Sequence, residues 1–164
     1  MFLYLSLLGA GVLIGLDQLI KWWAAGYLST VPDIRLIDGV LHLLYRENYG
    51  AAFSILQHRT GLLVGVTTAV LIAVLVLLVS RKVSHPLMIV SLCLIFAGGV
   101  GNLIDRVLRG FVVDYIYFVP INFPVFNLAD CCVVSGTILL VVYLLLIEPR
   151  QERRKKQLSR DGEA

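Results

Sequence analysis

Charge is scarce in this chain. Of its 164 residues only 15% are Asp, Glu, Lys or Arg, against roughly 25% in ordinary soluble domains. Hydrophobic residues make up 59%, and mean hydropathy is +0.87. Ten of the charged residues fall in the last 17 positions, six basic and four acidic. Too few remain along residues 1–147 to coat a water-soluble globule, which excludes a soluble enzyme and a disordered chain. The three cysteines (Cys93, Cys131, Cys132) are odd in number and show no C-x-x-C spacing. A disulfide-stapled secreted domain is excluded, and all three read as small buried hydrophobes. The histidines His42, His58 and His85 are scattered, and no G-x-S-x-G or H-E-x-x-H motif occurs. Neither a metal site nor a cofactor is therefore expected, and serine hydrolase chemistry has no support. The first Lys is residue 21, after the first apolar stretch rather than before it, so that stretch reads as a span and not as a cleaved signal peptide. No internal repeat supports an inverted-repeat transporter.

Four apolar runs are present, each near the roughly 20 residues needed to cross a bilayer. They cover residues 1–23, 60–80, 86–104 and 127–147. The expected architecture is an all-α membrane protein with four transmembrane helices. A small extracytoplasmic β element and a loop pack on the outer end. Residues 1–147 form a single membrane domain and residues 148–164 a charged cytoplasmic tail, with Pro149 ending the fourth span. Four spans put both termini on one side. That side carries Arg81, Lys82 and the six basic tail residues, eight in 22 positions. The opposite side has five, Arg35, Arg46, Arg59, Arg106 and Arg109, in 58 positions. Both termini are thereby placed in the cytoplasm. The net charge of +3 comes mostly from the tail; beside a membrane this indicates anionic lipid rather than nucleic acid as a partner.

Depth then sorts the acids. Asp17 falls roughly 20–25 Å along the first span. Asp105 follows the third span and so reaches the outer surface, and Asp130 sits in the first turn of the fourth. Asp114 lies between those two, with Pro120 and Pro124 breaking any helix before Asp130. The carboxylates gather at the extracytoplasmic interface. Of the two outer connections, residues 24–59 alternate around Gly39, which suggests short strands. Residues 105–126 are long enough for a turn, a strand and a lid.

Acids at such a depth are costly and point to function. If Asp114 and Asp130 meet at the head of the fourth span, like charge makes them share a proton, one acting as base and one as acid. Such a dyad activates water against an amide and protonates the leaving nitrogen. Alternatively each Asp pairs with an Arg or caps a helix. Asn127, three residues before Asp130, either caps that helix or shares its face at the site. Arg106 either pairs with Asp105 or holds a substrate carbonyl that Asp105 orients. Asp17 and Lys21 have the spacing of an intrahelical salt bridge. Trp22, Trp23 and Tyr27 suit an interfacial belt.

Five short motifs occur in order: Asp17-Gln-Leu-Ile-Lys21, Asn48-Tyr-Gly-Ala-Ala-Phe-Ser54, Gly98-Gly-Val-Gly-Asn-Leu-Ile-Asp-Arg106, Gly110-Phe-Val-Val-Asp114 and Phe126-Asn-Leu-Ala-Asp130. Together they resemble the bacterial lipoprotein signal peptidase (signal peptidase II) family. The resemblance implies an aspartyl endopeptidase of the bacterial cytoplasmic membrane. Its substrates would be diacylglyceryl-modified prolipoproteins, cut just before the lipobox Cys. It makes Asp114 and Asp130 the catalytic dyad and Asn48, Asn102, Arg106 and Asn127 the polar lining of the substrate site. Asp17, Lys21, Gly50 and Asp105 take supporting places, and a cyclic peptide of the globomycin type is implied as an inhibitor. Departures from the family pattern are Glu47 before Asn48, Tyr115 after Asp114 and Cys131 after Asp130. None removes a carboxylate or a site amide. The rival reading is a small proton-coupled transporter carrying protons on Asp17 and Asp130. It wants a polar path to the cytoplasm, which the apolar inner halves of the last three spans do not offer.

Overall fold

A computed structural model gives the architecture and describes residues 1–50, 59–80, 83–150 and 157. Residues 51–54 of the second motif, the basic pair Arg81 and Lys82, and nearly all of the tail lie outside the described residues. Four long helices dominate: α1 (Phe2–Trp23), α2 (Thr60–Val79), α3 (Pro86–Arg109) and α4 (Leu128–Val142). With the π turns that carry α1 on to Leu28 and α4 on toward Arg150, each is long and apolar enough to cross a membrane. A three-stranded antiparallel sheet, β1 (Ile34–Ile37), β2 (Leu41–Asn48) and β3 (Val112–Phe118), sits at one end in the order β1-β2-β3.

Three spans run further than hydropathy suggests, the first of them to Leu28. No breaker follows residue 104 until Gly110, whose left-handed φ of 82° closes α3 with its N–H donated to the Arg106 carbonyl. Asp105 therefore sits inside α3 and is fully buried. Arg106 and Arg109 occupy the last turn, where the helix dipole favours cations. At the other end of the bundle Pro149 does not stop the fourth span, which continues to Arg150. A wide π turn over Tyr143–Ile147 precedes it and shifts the carbonyls that the proline ring would otherwise meet. Pro86 occupies the first turn of α3 as expected, where its missing N–H costs nothing.

Helix α3 is the hub and packs against α1, α2 and α4. Its contact with α4 is close because both helices carry glycine there. A Cβ on Gly98 would fall on the Ala129 carbonyl oxygen, and one on Gly136 would lie 2.7 Å from the Ser91 carbonyl. Membrane helices associate through such small residues, since lipid supplies no hydrophobic drive between them. One apolar core, from Ala10 through Val74, Leu78 and Leu92 to Ala97, fills the bundle away from the sheet. A second sits under the sheet, where Val113 and Tyr115 pack on Ala24 and Leu28 at the end of α1. That packing fixes β3 across the bundle's end. The β2–β3 register sets Arg46 opposite Asp114 and Asn48 opposite Val112. Phe126 then bridges to Ile116 on the free edge of β3, bringing the chain back to start α4 beside it.

Candidate active site

At the sheet end the two acids share a hydrogen-bonding partner, Asn127. Asp114 projects from β3 with 2% exposure, and Asp130 occupies the first turn of α4. Three asparagines hold the pair. Asn48 at the end of β2 donates its Nδ2 to Asp114 Oδ2 at 2.9 Å. Asn127 donates its Nδ2 to Asp114 Oδ1 at 2.6 Å and its backbone N–H to Asp130 Oδ2 at 3.2 Å. Asn102 on α3 donates to Asp130 Oδ1 at 2.7 Å. All four carboxylate oxygens therefore accept an N–H. Burial pushes the Asp114 carboxyl up to about 7, and the neighbouring Asp130 charge adds to the rise. Hydrogen bonds from Asn48 and Asn127, and the charge of Lys21, act against it.

Asn127 serves in two ways at once. It is the N-cap of α4, its Oδ1 accepting the Asp130 N–H while the Asp130 carboxylate reaches back to the Asn127 N–H. This reciprocal capping box satisfies two orphan donors and leaves the Asn127 amide NH2 free to face Asp114. The helix cap and the donor to Asp114 are one side chain.

Arg106 makes no ion pair with Asp105. Its Nη2 donates to the Gly50 carbonyl at 2.8 Å and its Nη1 to the Asn102 carbonyl at 3.4 Å. The Gly50 N–H donates to Asn48 Oδ1 at 2.9 Å, so Gly50 is pinned on both sides. Asp105 instead lies 3.4 Å from Lys21 and 3.6 Å from Arg109, and accepts the Val113 N–H at 3.0 Å. The Asp17–Lys21 salt bridge is present at 2.9 Å and is enclosed by the protein. Asp17 also accepts the Ala129 N–H at 3.0 Å and so fastens α1 to the start of α4.

Several contributors escaped the sequence reading. Arg109 stands four residues after Asp105, a spacing that could have revealed the pair. The Tyr115 hydroxyl accepts the Leu128 N–H at 3.2 Å, which gives that position a polar task. Gln18 bonds the Gly101 carbonyl at 3.0 Å, a contact no spacing rule would show. His85 caps α3 through its Nδ1, and His42 pairs with Asp33 at 2.9 Å. Among the described residues no three His, Cys, Asp or Glu side chains converge to hold a metal ion.

Both acids open onto a cavity of about 1060 Å³. Its polar lining includes Arg46, Glu47, Asn48, Asn102, Arg106, Asp114 and Asp130; its apolar wall includes Val66, Val70 and Leu71 of α2 and Val133 and Val134 of α4. Cys131 also lines it. A carboxylate pair beside a large apolar cavity, in a chain with four membrane-length helices, suits hydrolysis of a membrane-borne substrate. Residues 10–146 match the family model described as signal peptidase (SPase) II.

The chain belongs to the signal peptidase II family.

Known relatives agree. A lipoprotein signal peptidase of Clostridioides difficile is 45% identical over 85% of this chain and 93% of its own length. One from Brevibacillus brevis is 37% identical over 84% of this chain and 92% of its own. A bacterial membrane enzyme solved by the in meso method at 2.3 Å resolution superposes with a TM-score of 0.81. It is 34% identical, with 85% of this chain and 87% of that one covered. As a member of the signal peptidase II family, this chain is a protease and a multi-pass membrane protein. The all-α, four-span expectation with a small sheet at one end holds.

Proposed function

We propose that this protein is an intramembrane aspartyl endopeptidase that removes the signal peptide from diacylglyceryl-modified prolipoproteins. It cuts before the lipobox Cys, with Asp114 and Asp130 as the catalytic dyad. The observation that carries this reading is the pair of enclosed carboxylates, each oxygen held by an N–H, on one wall of an apolar cavity. With one proton between them, the ionised carboxylate takes a proton from water as the oxygen attacks the scissile carbonyl. The protonated partner gives its proton to the carbonyl oxygen. As the tetrahedral intermediate collapses, one of its hydroxyls returns a proton to the partner that gave it, the C–N bond breaks, and the proton taken from water passes to the leaving Cys nitrogen. The amide and one water become a carboxyl and an amine, and the dyad returns to its starting charge.

Asn48, Asn102, Arg106 and Asn127 are the substrate-site residues in this reading, and Asp17, Lys21, Gly50 and Asp105 support them. The apolar wall takes the acyl chains and the signal helix. The segment around the scissile bond binds extended, since a helix hides its carbonyls, and strand addition to the sheet would hold it. The protein sits in the bacterial cytoplasmic membrane with both termini in the cytoplasm and the dyad near the extracytoplasmic face. Membrane lipid surrounds it, and a globomycin-type cyclic peptide competes for the cavity.

The deciding experiment purifies Asp114→Asn and Asp130→Asn in detergent and assays them on a diacylglyceryl-modified lipobox peptide. Both are expected to bind the globomycin-type peptide, which reports a folded site, and to lose cleavage by at least about 1000-fold. Near-normal cleavage by either would remove the dyad assignment.

A further inference from the structure

Lys21 is 0% exposed. Its ammonium lies 2.9 Å from Asp17 Oδ2 on its own helix and 3.4 Å from Asp105 Oδ2 on α3. Two carboxylates already satisfy its charge, and Arg109 shares Asp105 at 3.6 Å. The remaining contact goes to a neutral group: Lys21 Nζ donates to Asn102 Oδ1 at 2.8 Å. An ammonium has three donors and no acceptor, so it decides which end of the Asn102 amide can face it. The oxygen must turn toward Lys21, and the NH2 must then turn toward Asp130, where it donates at 2.7 Å.

The other two asparagines at the dyad are held in the same way. Asn48 Oδ1 accepts the Gly50 N–H, and Asn127 Oδ1 accepts the Asp130 N–H. Neither backbone donor can reverse its polarity. Each of the three amides is thus anchored at its oxygen by a group that only donates, and each presents NH2 to a carboxylate. For Asn102 the anchors are side chains, the Lys21 ammonium at 2.8 Å and, at the longer distance of 3.2 Å, the Asn127 NH2. We infer that Lys21 is a positioning residue of the proposed reaction: it fixes the amide polarity of Asn102 and, through it, the orientation of Asp130. This inference rests on the dyad reading and deepens it. Lys21 does not line the cavity, so it acts through Asn102 and not by touching substrate. The charged groups facing it are Asp17 from α1 and Asp105 from α3, with Asp130 from α4 and Asp114 from β3 within reach of its charge.

Replacing Lys21 alone would strand two buried acids, a loss that any structural ion pair would show. The test therefore removes the pair together. Lys21→Met/Asp17→Asn leaves Asp105 with Arg109, and the amide oxygen at position 17 still accepts the Ala129 N–H. Lys21→Gln/Asp17→Asn removes the same charges but keeps an N–H donor for Asn102. On the lipidated peptide the Met form is expected to keep KM within about twofold while kcat falls on the order of 100-fold, the cost of a misplaced reacting group. The Gln form should regain about tenfold of that loss. In both, the limb of the pH profile belonging to Asp114 should move to higher pH, because Lys21 is among the groups holding that carboxyl down. The gap in kcat between the two forms isolates the donor.

Equal kcat in the Met and Gln forms would overturn the inference, as would wild-type kcat in the Met form. Failure of both forms to bind the globomycin-type peptide would also overturn it, by making Lys21 a folding residue. Asp114→Asn and Asp130→Asn run alongside. If they cleave, the dyad itself is wrong; if they are inert while the Lys21 forms behave alike, only the positioning role falls.

Discussion

Asp114 has a carboxyl that holds its proton to about pH 7, where an unperturbed Asp would lose it near 4. Burial is the chief cause, and the hydrogen bond from Asn48 works against it. Between those two pH values the folded chain keeps a proton that the unfolded chain has lost. This group's contribution to stability is therefore greatest at low pH and is lost as pH rises through that window. The same group should set a limb near pH 7 in the rate of cleavage. Asn48→Ala removes one of the hydrogen bonds that favour the ionised form, so that limb should move to higher pH. A kcat profile on the lipidated peptide from pH 5 to 9 checks it, and an unmoved limb would mean that Asp114 does not govern it. The acids themselves were legible in the sequence because interfacial carboxylates in an apolar chain are conspicuous. Their partners were less so. Arg106 adjoins Asp105 in sequence yet reaches the Gly50 carbonyl, while Asp105 turns to Lys21 and Arg109, since adjacent residues on a helix point about 100° apart.

In helix α4 one residue both caps the helix and meets a candidate catalytic acid. Read from sequence, Asn127 was either a cap or a site residue. Its amide oxygen accepts the Asp130 N–H, which caps the helix, and its nitrogen donates to Asp114. Asn127→Ala should therefore lower stability by about 1 kcal/mol for the lost cap and abolish most cleavage as well. Asn127→Ser separates the two, because a hydroxyl caps the helix without replacing the donor to Asp114. Thermal unfolding in detergent should return to near wild type in the Ser variant while cleavage stays low. Recovery of both together would show that capping alone accounts for Asn127. The length of α3 was a matter of its stop signal: apolar content ends at residue 104, but the backbone turns only where Gly110 takes a left-handed φ.

Hydropathy located all four spans, because crossing a bilayer is a constraint written along the chain itself. It could not say which spans touch, since lipid and a neighbouring helix are equally apolar. That choice rests on Gly98, Gly101 and Gly136, where a Cβ would collide with α4, Asp17 or α3, and glycine in an apolar run has no pattern that names its partner. The outcome is a bundle in which α3 binds α4 closely while α2 stands on the other side of the cavity. Val66 and Val70 of α2 and Val134 of α4 line that cavity and are also exposed at the bundle's surface, so it reaches the face that lipid would cover. A substrate already embedded by its acyl chains can then arrive sideways through the bilayer, without leaving it. Filling the apolar wall should obstruct this route and leave the chemistry intact. Val70→Trp should raise KM for the diacylglyceryl peptide by about tenfold, with kcat at saturation within about twofold. A short lipobox peptide without acyl chains should be cleaved as by the wild type, however slowly. If Val70→Trp impaired the two peptides equally, the wall would be shaping the dyad and not receiving the lipid.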